Sequence, residues 1–244
     1  MASWPHGYAR HVFDTLDSTL SEAARMAPSL GGPAWLLAIE QTAARGRRGR
    51  AWSNPQGNFA GTLIMRRTGS PADAALRSFV SSLALRETFV EVTGQEAAFA
   101  LKWPNDVLLN GGKVAGILLE TIGDCLAIGI GVNLAHAPTP DQVEQGAVIP
   151  VSVLGATGVS VEPEIFLDAL AAAYARLEDQ YVTYGFAPIR TAWLSHAARI
   201  GEVITARTMR DETVGVFEDV DEAGNLILNT AKGRVAITAA DVYF

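Results

Sequence analysis

FALKWPNDVLLNGGKVAGILLET, residues 99–121, decides how the middle of the chain folds. Its apolar runs are punctuated by Asn/Gly and Pro/Asn signals, which predicts buried neighbouring strands joined by short turns. Pro104 followed by Asn105 and Asp106 forms a tight turn at a strand end, where side chains are held rigidly over whatever lies beneath. Asn110-Gly111-Gly112 predicts a hairpin turn that returns the chain, so that Lys113 re-enters a strand beside the first turn and one lysine and one carboxylate face a common site. An Asn-Asp turn with a lysine nearby is, taken alone, more often just a satisfied turn.

Working outward, CLAIGIGV (125–132) is a further buried strand, and WLLAIE (35–40) and FAGTLIMR (59–66) read as strands on the N-terminal side. Thr19 and Glu22 fit a capping box at the head of a short helix, LSEAARMA, which Pro28 is expected to close. Ser70-Pro71-Ala72-Asp73 has the form of an N-cap with proline in the first turn, and Leu76, Phe79, Val80, Leu83 and Val90 follow at near-helical spacing. A second long helix is marked by Leu170, Tyr174, Leu177, Tyr181 and Tyr184 and ends at Gly185. Past residue 198 the texture changes to short strands, VITAR, VGVFED, LILNT and RVAI, separated by turn-formers, which reads as a small β-barrel. The expected division is 1–197 and 198–244, with no low-complexity linker between them, so the two parts should pack together.

The 244 residues are 49% hydrophobic and 18% charged, a balance that excludes a disordered chain and supports one substantial core. With a single cysteine, Cys125, no intramolecular disulfide can form, and a reducing, cytoplasmic setting is expected. No apolar run reaches the ~18 residues of a spanning helix, so no membrane association is expected. A net charge of -7 opposes non-specific nucleic-acid binding. His6, His11, His136 and His196 lie far apart and lack zinc-site spacing, so no protein-held metal is expected.

Against that acidic background Arg45-Gly46-Arg47-Arg48-Gly49-Arg50 stands out. Glycines let a backbone approach an anion closely while guanidinium forks reach its oxygens. An arbitrary arginine run is more often a solvated basic loop. Gly129-Ile130-Gly131-Val132-Asn133 offers G-x-G, but Leu134 stands where a dinucleotide fingerprint needs its last glycine; close packing of a strand on a ligand accounts for the glycines better.

Together with Asp17-Ser18-Thr19, these segments resemble the motif set of the biotin protein ligase family in order and spacing over residues 8–135, and the terminal strands resemble its SH3-like C-terminal domain. ARGRRGRAW is similar to the family's GRGRxGRxW loop, and KWPNDV with GGKVAGIL is similar to its second signature. The resemblance implies an α+β fold with a mixed-sheet catalytic domain of biotin/lipoate ligase type, followed by a small SH3-like β-barrel. It implies biotin as substrate, ATP with Mg2+, and a biotin carboxyl carrier domain as acceptor, with a homodimer left open. Carried over by position, Ser18, Thr19, Leu20, Gln41, Arg45, Gly46, Arg47, Lys113 and Gly116 correspond to biotin or adenylate contacts. Arg48, Arg50, Trp52, Asn105 and Asn133 correspond to the nucleotide side, and Lys113, Arg47 and Asp106 to the chemistry. Two positions depart: Ala44 where glycine is common, and Leu20 where a polar residue, often asparagine, is common, so that Leu20→Asn is expected to be tolerated and to restore a hydrogen bond to the ligand.

In this reading fixed positive charge lets a carboxylate attack the α-phosphorus of ATP, and Asp106 orients or deprotonates the acceptor lysine. The competing readings are a lipoate or octanoate ligase or transferase of the same superfamily, a biotin-responsive repressor, and a non-catalytic biotin-binding regulator. The 17 residues before Ser18 are too few for a helix-turn-helix reading head, which disfavours the repressor.

Overall fold

The computed structural model describes residues 3–46, 49, 52–139, 142, 143, 146, 148–208 and 211–244. Its centre is a seven-stranded sheet of β1 (Ala9–Leu16), β2 (Ala34–Gln41), β3 (Phe59–Arg66), β4 (Phe99–Lys102), β5 (Asp106–Leu109), β6 (Gly112–Ile122) and β7 (Cys125–Val132). The order is β1-β2-β3-β7-β6-β5-β4. The β1/β2 pair is parallel and the other neighbours are antiparallel, so the sheet is mixed.

The central strands are apolar throughout because both faces are covered. Successive side chains point to opposite faces, and Trp35 and Leu37 enter one apolar cluster while Leu36 enters another. On the first face lie α2 (Pro71–Thr93), α4 (Pro163–Tyr184) and α5 (Phe186–Leu194). On the second lies the short α1 (Thr19–Met26), whose Leu20 and Ala23 pack with Leu36, Ile64 and Ala127. A one-and-a-half-turn helix, α3 (Val153–Thr157), follows the segment that leaves β7.

The reading of α2 from its first turn holds: Ser70 Oγ accepts from Asp73 N at 3.2 Å while Asp73 accepts from Ser70 N at 2.7 Å, with Pro71 in the first turn and Gly94 at φ 71° ending the helix. The helix is buried almost all round, so its hydroxyls turn back onto their own backbone, Ser81 to Arg77 O and Thr88 to Ala84 O, each at 2.7 Å. At α1 the expectation is corrected. The N-cap is Ser18, not Thr19, and its side chain makes no cap bond. The Thr19 hydroxyl is spent on Gln41 instead, and Pro28 lies within a 3-10 turn, Ala27–Ser29, beyond the helix end.

Residues 203–243 form an antiparallel five-stranded sheet in the order β11-β10-β9-β8-β12, the SH3-like unit: β8 (Val203–Arg207), β9 (Glu212–Val220), β10 (Leu226–Thr230), β11 (Gly233–Ile237) and β12 (Asp241–Tyr243). Its apolar residues, Phe217, Leu226, Leu228 and Val242 among them, are continuous with the main core. The two parts do pack together. Trp103 Nε1 donates to Gly224 O at 3.0 Å, and Arg190 reaches Val220 O and Asp219. Gly224 has φ 81°, and a Cβ there would stand 2.9 Å from Leu76 Cδ2, so glycine serves both the turn and the contact.

Between α2 and α4, fully buried Arg77 is held on Glu178 by Nε at 2.9 Å and Nη2 at 2.7 Å, with Tyr174 Oη donating to the other carboxylate oxygen at 3.2 Å. Burial works against the arginine's charge and Glu178 sustains it, and the guanidinium keeps a raised pKa. Removing one partner strands a buried charge, at a cost of about 3–5 kcal/mol. Arg77→Met is therefore expected to lower unfolding free energy by about that amount in a urea titration, and Arg77→Met combined with Glu178→Leu to recover most of it. A single variant as stable as the parent would show that water reaches the stranded carboxylate.

Candidate active site

A cavity of about 810 Å³ opens over β6 and β7, walled by the head of α1, the end of β2, the loop from Ala44, the turn between β4 and β5, and β12. Ser18, Thr19, Leu20, Gln41, Arg45, Gly46, Trp52, Asn105, Asp106, Lys113, Gly116 and Asn133 all line it. Residues spread over more than a hundred positions of sequence thus meet in one place. Arg47, Arg48 and Arg50 lie outside the described residues.

The floor is set by Gly129 and Gly131, which share a face of β7. A Cβ at Gly131 would fall 2.4 Å from Trp52 Cε2, and one at Gly129 would fall 2.8 Å from Leu20 Cδ1. In this state the chain's own Trp52 and Leu20 occupy the close approach that the glycines permit. Leu20 lines the cavity and is also buried among apolar neighbours, which argues against the expectation that asparagine there would be tolerated: its amide would enter an apolar cluster.

At the α1 end, Gln41 Oε1 accepts from Thr19 N at 2.7 Å and Thr19 Oγ1 at 3.2 Å, and Thr62 Oγ1 donates to Thr19 Oγ1 at 2.8 Å. This buried relay fixes the carboxamide against the helix start. Beside it, Asp17 accepts from Ser18 N and from Arg25, which hold its carboxyl down at about 2.

The charged centre comes from two hairpins. Lys102 and Asp106 are paired across β4 and β5, and Asp106 stands opposite Gly116 of β6. With no side chain at Gly116, Lys113 reaches over it: Lys113 Nζ lies 2.7 Å from Asp106 Oδ1 and 5.8 Å from the centre of the Trp52 ring. Lys102 Nζ lies 3.8 Å from Asp106 Oδ2. The lysine and carboxylate read from the hairpin signals do face one site. Asn105 pins the turn to β6, donating to Ile117 O at 2.6 Å and accepting from Ile117 N at 2.9 Å.

Asn133 Nδ2 donates to Val151 O at 3.1 Å, while its buried Oδ1 and the buried Trp52 indole N–H have no hydrogen-bond partner among the described residues. Buried polar atoms are seldom left so. One acceptor and one donor in a common cavity is what a polar planar ligand would satisfy. Arg45 differs: Nε and Nη2 grip Glu120 at 3.1 and 2.8 Å, and Nη1 donates to Ser21 Oγ at 2.9 Å. The Glu120 bonds raise its pKa. Its charge is already balanced, and it braces the loop against β6 and α1.

Lys102 and the β12 wall, Asp241 to Tyr243, line the cavity and Glu120 grips Arg45, and none of these carries a role in the sequence motifs. A lone acid in the apolar run GILLET was a usable signal for Glu120. No local signal announces that β12 docks beside a turn some 135 residues earlier.

Comparison with known proteins agrees with this geometry. The Biotin/lipoate A/B protein ligase family matches residues 15–133, and the Biotin protein ligase C terminal domain matches residues 200–244. A biotin--[acetyl-CoA-carboxylase] ligase of Paracoccus denitrificans is 57% identical over 233 residues, covering 93% of this chain and 97% of that protein. The bifunctional ligase/repressor BirA of Bacillus subtilis is 30% identical over 238 residues, 94% of this chain and 72% of that protein. Among solved structures, the biotin protein ligase from Aquifex aeolicus in complex with biotin and ATP has a TM-score of 0.85 at 22% identity, covering 96% of this chain and 98% of that one.

Leu20→Asn gives up apolar burial and sets an amide among Ala23, Leu36 and Ile64. A loss of about 2–4 kcal/mol in unfolding free energy is expected from the two effects together. An unchanged denaturation midpoint would mean that the amide turns into the cavity and is solvated there.

Proposed function

Since the chain belongs to the biotin protein ligase family, we propose that its cavity hosts two successive group transfers, an adenylyl transfer that releases pyrophosphate and then an acyl transfer that releases AMP. Biotin is activated with ATP to biotinyl-5′-AMP, and the biotinyl group then passes to a lysine of a biotin carboxyl carrier domain. The observation that carries this reading is identity of 57% to a biotin--[acetyl-CoA-carboxylase] ligase over nearly its whole length. The volume of about 810 Å³ lies within the range of small-molecule sites and is ample for an acyl adenylate.

In the first step a carboxylate approaches a triphosphate, and the barrier is repulsion between anions. Among the described cations Lys113 is the one proposed to work at this point, because Glu120 is matched to Arg45 alone whereas Lys113 shares the single carboxylate of Asp106 with Lys102. Arg47, Arg48 and Arg50 are proposed to add charge around the phosphates. Trp52 and Asn133, each with an unpartnered polar atom, are proposed to take the base, while Ser18, Thr19, Gln41, Arg45, Gly46 and Gly116 form the biotin and acyl side.

Among the described residues no three His, Cys, Asp or Glu side chains converge as a metal cage. Magnesium typically keeps several waters and binds through substrate phosphates with one or two carboxylates, so the residues present fit an ion that arrives on the nucleotide. It would supply charge neutralisation at the phosphates.

In the second step the acceptor amine must shed a proton. Asp106, already in contact with Lys102 and Lys113, is proposed to orient or deprotonate the carrier lysine. A boundary between the two units at 197/198 is part of the proposal; Ala197, just before it, bridges to Leu101. No helix among the described residues is long and apolar enough to cross a membrane, and cytoplasmic residence, with the buried Cys125 as a reduced thiol, completes the proposal.

ATP–pyrophosphate exchange is expected with biotin and not with lipoate or octanoate; equal exchange with octanoate would remove the biotin assignment. Lys113→Gln keeps length but not charge, and a fall of about 10²–10³ in adenylate formation is expected with a much smaller change in biotin affinity. Asp106→Asn should leave pyrophosphate release near normal and slow single-turnover transfer to the carrier. Intact adenylation in Lys113→Gln, or blocked adenylation in Asp106→Asn, would overturn this division of roles.

A further inference from the structure

The chain carries 19 basic residues, of which only Lys102, Lys113 and Lys232 are lysines. Two of the three sit in the cavity and share one carboxylate, with Nζ to Asp106 separations of 3.8 and 2.7 Å. Lys102 is also buried and lies against the Phe244 ring, its Nζ 5.5 Å from the ring centre. The third, Lys232, is exposed in the turn between β10 and β11. In the sheet order β11-β10-β9-β8-β12 that turn belongs to the edge opposite β12, the strand that walls the cavity. The basic segment that begins at the cavity-lining Arg45 and Gly46 has only arginine as its cation, at 45, 47, 48 and 50 of the sequence.

This distribution matters because an acyl adenylate acylates amines. The lone pair of a neutral amine attacks the anhydride carbonyl, an N–C bond forms as the C–O bond to phosphate breaks, AMP leaves with the electron pair, and the ammonium proton passes to water. An exposed lysine is neutral in roughly one molecule in a thousand near pH 7.5, whereas a guanidinium is effectively always charged. An amine tethered at the rim of a site also meets the bound intermediate at a very high effective concentration. Arginine therefore holds phosphates at the rim without being consumed. A lysine at the same place would compete with the carrier's.

We propose that this chain is insulated from its own activated intermediate by the exclusion of lysine from the cavity rim, with Lys102 and Lys113 kept from attack by their pairing to Asp106 and Lys232 left as its accessible side-chain acylation site. The inference rests on the cavity being where biotinyl-5′-AMP is made.

The test uses the full chain without any carrier, supplied either with biotin, ATP and magnesium or with added biotinyl-5′-AMP, followed by peptide mapping of biotinylated lysines. Gln142→Lys and Ser53→Lys place an amine at two exposed rim positions on different segments. The parent is expected to label slowly and, among side chains, at Lys232; Lys232→Arg should abolish that label. Each rim lysine should label at least about tenfold faster than Lys232, through proximity. Label on Lys102 or Lys113 in the parent, or rim lysines labelled no faster than Lys232, would overturn the proposal. Failure of the ligase reading shows separately, as absent pyrophosphate release with biotin, while the added adenylate still ranks the lysines.

Discussion

Asp106 sits between two ammonium groups, and the arrangement of the site follows from holding it there. At 4 Å a pair of unit charges interacts by about 4 kcal/mol at an effective dielectric of 20, so one carboxylate between Lys102 and Lys113 leaves the trio with a net positive charge at a modest electrostatic cost. The position depends on register. The β4–β5 pairing sets Lys102 opposite Asp106, and the β5–β6 pairing sets Gly116 opposite it; a slip of one residue would carry every one of these side chains to the other face of the sheet. The Asn110-Gly111 turn, with φ of 50° and 81°, starts the β5–β6 pairing, and an irregularity between Val107 and Leu108 shifts it by one residue so that Asp106 meets Gly116.

The small C-terminal unit bears on the same place. Its Gly224 carbonyl accepts from Trp103, the residue between Lys102 and the turn, and the Phe244 ring lies against Lys102 Nζ. The SH3-like sheet thus buttresses the turn that carries Asp106 and supplies Asp241 to Tyr243 as a cavity wall. A continuous apolar core across the two parts makes that buttress stiff.

Legibility in the sequence followed the range of the forces involved. The β4–β7 strands, the Ser70 cap and the Asn-Gly turn were readable because a few adjacent residues determine them. The edge strand β1 was not anticipated: ARHVFDTL is largely exposed, so burial writes no clear alternation into it. Nor was α5, which buries only Ile189 and Trp193 and begins directly after the glycine that ends α4. At α1 a plausible local cap lost to a tertiary bond, since Gln41 takes both the N–H and the hydroxyl of Thr19. The site motifs were legible as chemistry, but their partners were not: Glu120 on Arg45 and Lys102 on Asp106 are contacts made by the sheet, not by spacing.

Those partners sort the cations by what they can still do. A guanidinium has five N–H donors in a fixed fork, and Arg45 has directed its Nε and both terminal nitrogens at Glu120 and Ser21. Turning it toward a ligand would break a bidentate pair, so its contribution is to hold Ala44 to Gly46 in place. An ammonium has three donors that rotate on a flexible stem. Lys113 can follow an anion while remaining near Asp106, and with nearly a third of its side chain exposed it does so without crossing the core. The same fold uses the rigid cation to shape the cavity and leaves the more mobile one inside it, within reach of an anion.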